Sequence, residues 1–112
     1  MNEQLAIIGA SGHGKVVAEV AELNGFNVSF YDDVYPLKKK LEHWDIVGSV
    51  SDLINSNNSL KTIVAIGNNV VRAGIQLELE RTGFDLITLI HPQATVSNYS
   101  KMKSGCVVLA NA

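Results

Sequence analysis

One stretch, Leu5-Ala6-Ile7-Ile8-Gly9-Ala10-Ser11-Gly12-His13-Gly14-Lys15, restricts the folds open to this chain more than any other. Its apolar part is short and closed by glycine, the pattern of a strand covered on both faces. From Lys15 to Asn24 the period turns helical. Val16, Val20 and Leu23 fall at i, i+4 and i+7, Val17 and Ala21 widen the stripe, and Glu19 and Glu22 face away. Gly25 stands where a left-handed residue would end that helix.

The rest of the chain repeats this alternation. Residues 28–31 read as a second strand closed by Asp32-Asp33. In 34–47, Pro36 and the lysines read as loop, and Trp44, Ile46 and Val47 are expected to pack back onto the sheet. Ser51 is a candidate cap for a short helix through Ile54. Residues 62–66, TIVAI, form the clearest strand. Asn68 or Asn69 then caps a helix to about Thr82, with Val71, Ile75 and Leu79 on one face and Gly83 as its stop. Residues 85–90 read as one further strand. Strands alternating with helices across short loops imply βαβ units, a parallel sheet and an α/β, Rossmann-like fold.

Ligands of such sheets bind at the carboxyl ends of the strands, and three of those ends carry unusual residues: 9–14, 32–33 and 67–69. The glycines of the first loop free backbone N–H groups to turn toward a phosphate, and the helix start adds a favourable dipole. A triphosphate loop needs GxxxxGK followed by Ser or Thr. Residues 9–15 meet the first part, but Val16 occupies the place of the magnesium-holding hydroxyl. A dinucleotide fingerprint needs GxGxxG, whereas this loop spells GxxGxG, although Asp32 stands where a ribose-binding carboxylate would. The loop is therefore an anion loop with no single nucleotide specified. Simpler readings stand beside it: Asp33 as a turn former, one of Asn68 and Asn69 as a helix cap only, Arg72 as a solvated surface residue.

After Ile90 the period changes again. Val96, Met102 and Val108 recur every six residues, and Ser100, Cys106 and Ala112 follow each by four. An aliphatic residue with a small one four places on is the hexad of a parallel β-helix, and three hexads make about one coil. The other reading of this region is an ordinary terminal strand at 107–109. The expected division is a Rossmann-like domain over 1–90 and the truncated first coil of a β-helix over 91–112, since one coil cannot bury its own face.

Composition excludes several classes. Hydrophobic residues make up 46% and charged residues 18%, as in a compact core. The formal net charge of −2 leaves no basic field for nucleic acid, and Lys38-Lys39-Lys40 reads as a solvated loop. Cys106 is the single cysteine, so no intrachain disulfide forms. No basic leader precedes Leu5 and no apolar run approaches the ~20 residues of a membrane span, so the expectation is a cytoplasmic protein. No metal-ligand spacing occurs, and no base–nucleophile pair is evident, so neither a metal site nor a catalytic residue is expected within 1–112.

Four segments in one order, GASGHGK, DD, AIGNN and LIHP ahead of six-residue repeats, resemble the NeuD/PglD-like sugar O-/N-acetyltransferases, a branch of the left-handed β-helix acyltransferases. The resemblance covers essentially the whole chain. It implies that the Rossmann-like domain binds a nucleotide-linked sugar, typically a UDP-amino-sugar or a sialic acid-type substrate. A homotrimeric β-helix would then supply acetyl-CoA binding and a catalytic histidine beyond residue 112. Carried onto this sequence, Ser11, Gly12 and His13 would face the diphosphate and sugar. Asp32 and Asp33 would meet the uridine, and Gly67 with Asn68 would close the other side. This chain alone would bind and not catalyse. The alternative is an NAD(P)-binding regulatory or oxidoreductase-type module, and a weaker third is a structural domain with a vestigial pocket.

Overall fold

The computed structural model describes residues 3–56, 60–87, 89–90 and 107–108. The elements run β1 (Glu3–Ile8), α1 (Gly12–Leu23), β2 (Phe26–Tyr31), β3 (Lys40–Leu41), β4 (Trp44–Gly48), α2 (Val50–Asn55), β5 (Lys61–Val64), α3 (Asn69–Arg81), β6 (Asp85–Leu86), β7 (Leu89–Ile90) and β8 (Val107–Val108). Six strands form one sheet in the order β3-β4-β2-β1-β5-β6. Strands β4, β2, β1, β5 and β6 are parallel, and β3 joins the edge antiparallel through a hairpin to β4.

The central strand shows why the apolar run has no polar interruption. Side chains alternate across a strand, so Leu5 and Ile7 enter the core under α1 with Val17, Ala21 and Phe30. Ala6 and Ile8 enter the opposite core with Leu53 of α2 and Leu79 of α3. Helices therefore cover both faces of a mostly parallel sheet, the Rossmann-like arrangement that the alternation predicts. From β1 the chain builds outward to β2 and β4, then returns after α2 to place β5 on the other side of β1. The strand order reverses between β1 and β5, and a crevice opens at their carboxyl ends.

Three local expectations change. The cap of α2 is Ser49, not Ser51: Ser49 Oγ accepts from the Asp52 amide, and Asp52 Oδ2 accepts from the Ser49 amide. This reciprocal box satisfies two donors at once, which Ser51 within the helix could not do. Residues 40–48 form a β-hairpin at the sheet edge, with Trp44 and Ile46 buried and Val47 facing out. The expected strand over 85–90 is two elements. Asp85 and Leu86 pair with β5, whereas Leu89 and Ile90 pair in parallel with Val107 and Val108, each pair eighteen residues apart. The remaining hexad positions, Val96, Ser100, Met102, Cys106 and Ala112, and His91 lie outside the described residues. Among the described residues, no helix is long and apolar enough to cross a membrane.

Candidate functional site: a cleft at the carboxyl ends of the strands

The glycine loop is shaped by close contacts to its neighbours. Gly9 follows β1 with φ at +109°, and a Cβ there would stand 2.7 Å from the carbonyl oxygen of Ala65, at the end of β5. Only glycine suits that backbone and that spacing. Gly14 lies in the first turn of α1, where a Cβ would run into the carbonyl oxygen of Gly9 and sit 3.0 Å from the Phe30 ring. Gly12, by contrast, has open space around it. Thus Gly9 and Gly14 let the chain turn from strand to helix, and Gly12 leaves the surface bare.

The starts of the three helices differ in how their amides are satisfied. An α-helix begins with N–H groups that lack intrahelical acceptors. In α3, Asn68 Oδ1 accepts from both Val70 and Val71 at 3.0 Å. In α2, the Ser49–Asp52 box is joined by Asp33, whose Oδ1 accepts from the Val50 amide at 3.1 Å. In α1, Ser11 occupies the cap position but its side chain caps nothing, and no acidic residue lies in the first turn. The amides of Gly12, His13 and Gly14 have no acceptor among the described residues. Their exposed edge, with the dipole of a twelve-residue helix behind it, attracts an anion.

The aspartate pair ties the surrounding loops together. Asp32 Oδ2 accepts from the Ala10 amide at 2.7 Å, and its Oδ1 accepts from the Val34 amide at 2.8 Å. Asp33 reaches α2 as described. Both carboxylates also line a cleft of about 160 Å³, whose walls are Ile8 and Gly9 from β1, Val50 from α2, Ile66 beyond β5, and Val71 and Ile75 from α3. Small-molecule pockets usually measure about 300–1,000 Å³. This cleft therefore holds one ring-sized group, and a larger ligand must extend across the open crevice.

The sequence-derived candidates do converge at this end of the sheet, at different depths. Asp32 and Asp33 line the cleft, while Ser11, Gly12, His13, Gly67 and Asn68 lie exposed on the neighbouring loops and are not part of its lining. Sequence reasoning missed the apolar walls. Val71 and Ile75 share one face of α3 with Leu79, as the helical period predicts, yet of that helix only Leu79 is buried. Their position one and two turns after the β5 loop was the available signal. Lys15, the lysine of the incomplete triphosphate pattern, forms an ion pair with Glu42 at 3.0 Å. Hydrogen bonding and charge attraction from Glu42 raise the Lys15 pKa. Tyr31, at the end of β2, also titrates above its ordinary range, because burial disfavours the phenolate and Asp52 adds repulsion.

A Rossmann-like domain with an uncapped glycine loop and a cleft at its switch point belongs to the doubly wound α/β class, whose ligands bind at that point. Residues 4–79 match the PglD N-terminal domain family, and the chain belongs to that family. It is 31% identical to UDP-N-acetylbacillosamine N-acetyltransferase of Bacillus subtilis (strain 168) over 96% of this chain and 52% of that protein. The acetyltransferase domain of PglB from Neisseria gonorrhoeae FA1090, solved with acetyl coenzyme A, superimposes with a TM-score of 0.88 at 39% identity, over 98% of this chain and 54% of that one. A mutant of perosamine N-acetyltransferase from Caulobacter crescentus, solved with CoA and GDP-perosamine, gives a TM-score of 0.86 at 31% identity, over 96% and 51%. The chain thus spans about half the length of the relatives it matches.

Proposed function

We propose that this chain is the nucleotide-sugar-binding part of an acetyltransferase that moves an acetyl group from acetyl-CoA onto a nucleotide-linked amino-sugar. The observation that carries the reading is the α1 start, where three consecutive amides lack acceptors while the other two helices are capped. The diphosphate accepts from Gly12, His13 and Gly14, and Ser11 and His13 flank it from the same turn. The ring-sized cleft takes the base or ribose against Ile66, Val71 and Ile75, with Asp33 as acceptor, and Gly67 and Asn68 border the far side. The relatives named for UDP- and GDP-linked sugars support a nucleoside diphosphate sugar, and their names favour nitrogen over oxygen as the acetylated atom.

In the transfer, the sugar amine attacks the thioester carbonyl, a C–N bond forms, the C–S bond breaks and CoA leaves as the thiol. The proton released from the amine passes through a base, which the resemblance places beyond residue 112, to the departing sulfur. This domain contributes orientation, since holding the nucleotide fixes where the amine lies. The parallel pairing of β7 with β8 at an eighteen-residue offset supports a β-helix coil of three hexads following this domain. A trimeric β-helix carrying the acetyl-CoA site then completes the enzyme in the cytoplasm.

Titration calorimetry of the chain with UDP, GDP, NAD and ATP tests the ligand class. UDP or GDP is expected to bind more tightly than NAD or ATP. Tighter NAD binding would replace this reading with the NAD(P)-module alternative.

A further inference from the structure

The aspartate that the dinucleotide analogy assigns to the ribose is already engaged by the protein itself. Asp32 is half-buried, and each of its carboxylate oxygens accepts a backbone amide at 2.7–2.8 Å. The two donors come from different loops: Ala10 from the glycine loop after β1, and Val34 from the turn after β2. Charge-assisted bonds of this length are among the stronger ones a loop can make. The Ala10 amide immediately precedes the Ser11 cap, so its grip fixes where α1 begins and where the amides of Gly12, His13 and Gly14 point. Its neighbour Asp33 differs. It is exposed, one oxygen accepts from Val50, and its other oxygen has no partner among the described residues.

We propose that Asp32 is a positioning residue for phosphate: it sets the glycine loop, while Asp33 is the carboxylate that meets the nucleoside. This rests on the nucleotide-binding reading above and divides the labour within that site. Phosphate affinity then depends on a side chain that need not touch phosphate. A ribose- or base-binding aspartate would behave in the opposite way, since inorganic pyrophosphate has neither group.

The test compares Asp32→Asn and Asp33→Asn in the full chain with two probes, inorganic pyrophosphate and UDP, alongside amide exchange without ligand. An asparagine can accept at one atom only, so Asp32→Asn loses one of the two loop bonds. It is expected to accelerate exchange at Ala10 or Val34 and to weaken pyrophosphate and UDP by the same factor, about tenfold. Asp33→Asn is expected to weaken UDP alone. Asp32→Glu, which keeps the charge but moves it by one methylene, gives the same loss for both probes and serves if Asp32→Asn fails to fold. Unchanged pyrophosphate affinity with weakened UDP in either Asp32 variant would make Asp32 a nucleoside contact and overturn the proposal. So would native protection at both Ala10 and Val34 in Asp32→Asn. If the wild-type chain binds neither probe, the nucleotide reading fails, and the exchange comparison still decides whether Asp32 sets the loop.

Discussion

Gly14 packs directly on Gly9: a Cβ on the first would collide with the carbonyl oxygen of the second. The contact joins the last residue of the turn to its first and lets α1 start against the sheet. Gly14→Ala is therefore expected to destabilise the domain by about 1–3 kcal/mol, the usual cost of overpacking. Gly12 differs, because a Cβ there meets open space. Gly12→Val should keep the fold and lose phosphate affinity, because a β-branched side chain now crowds only the ligand's approach. Urea unfolding of both variants checks the contrast, and equal destabilisation would contradict it.

The caps of the other helices give a second expectation. Ser49→Ala removes the acceptor for the Asp52 amide, and Asn68→Ala removes the acceptor for two amides of α3. Each should cost about 1 kcal/mol, read as a lower denaturation midpoint. Asn68→Asp preserves the acceptor and should restore most of the loss. Failure of that rescue would mean that Asn68 stabilises the domain by something other than capping.

These two helices also show what the sequence disclosed and what it did not. Strand β1 and helix α1 were legible because Leu5, Ile7, Val17 and Ala21 repeat at the periods of their elements. The cap of α2 was misplaced because Ser49 and Ser51 are chemically alike, and only the reciprocal Asp52 bond separates them. The β3–β4 hairpin was hidden by Lys38-Lys39-Lys40, which read as loop although Lys40 pairs with Asp45 at 3.3 Å. The site's polar residues were legible from their places at strand ends. Its apolar walls were not, because Val71 and Ile75 fit a helix core equally well, and which neighbours they face depends on tertiary packing.

Leu89 yields a third expectation. It is almost fully buried, and it joins the core under α1 although its strand pairs with β8 rather than with the six-stranded sheet. Leu89→Ala should cost about 2–5 kcal/mol, as for a buried leucine elsewhere in a core. A near-neutral effect in a melting experiment would show that β7 contributes little to this domain.

Alkaline stability gives a fourth. Both Lys15 and Tyr31 titrate above their ordinary values of 10.5 and 10.0 in the folded chain. Below those values each is protonated whether folded or not, and its contribution is fully present. As pH rises past them, the unfolded chain releases protons that the folded chain retains, and stability falls. Tyr31→Phe should flatten the decline that begins near pH 10, and Glu42→Gln should do so to a smaller degree because the Lys15–Glu42 pair is exposed. A decline unchanged in Tyr31→Phe would assign it to other groups.

The central claim is that the start of α1 binds the phosphates of a nucleotide sugar, and amide chemical shifts test it most directly. Titrating the labelled chain with a UDP- or GDP-linked sugar should move the Gly12, His13 and Gly14 amides together, along one saturable curve that also moves residues lining the Asp33 cleft. The amide of Asp52, already capped by Ser49 and outside the cleft lining, should move less. Saturable binding that leaves Gly12, His13 and Gly14 in place would contradict the account.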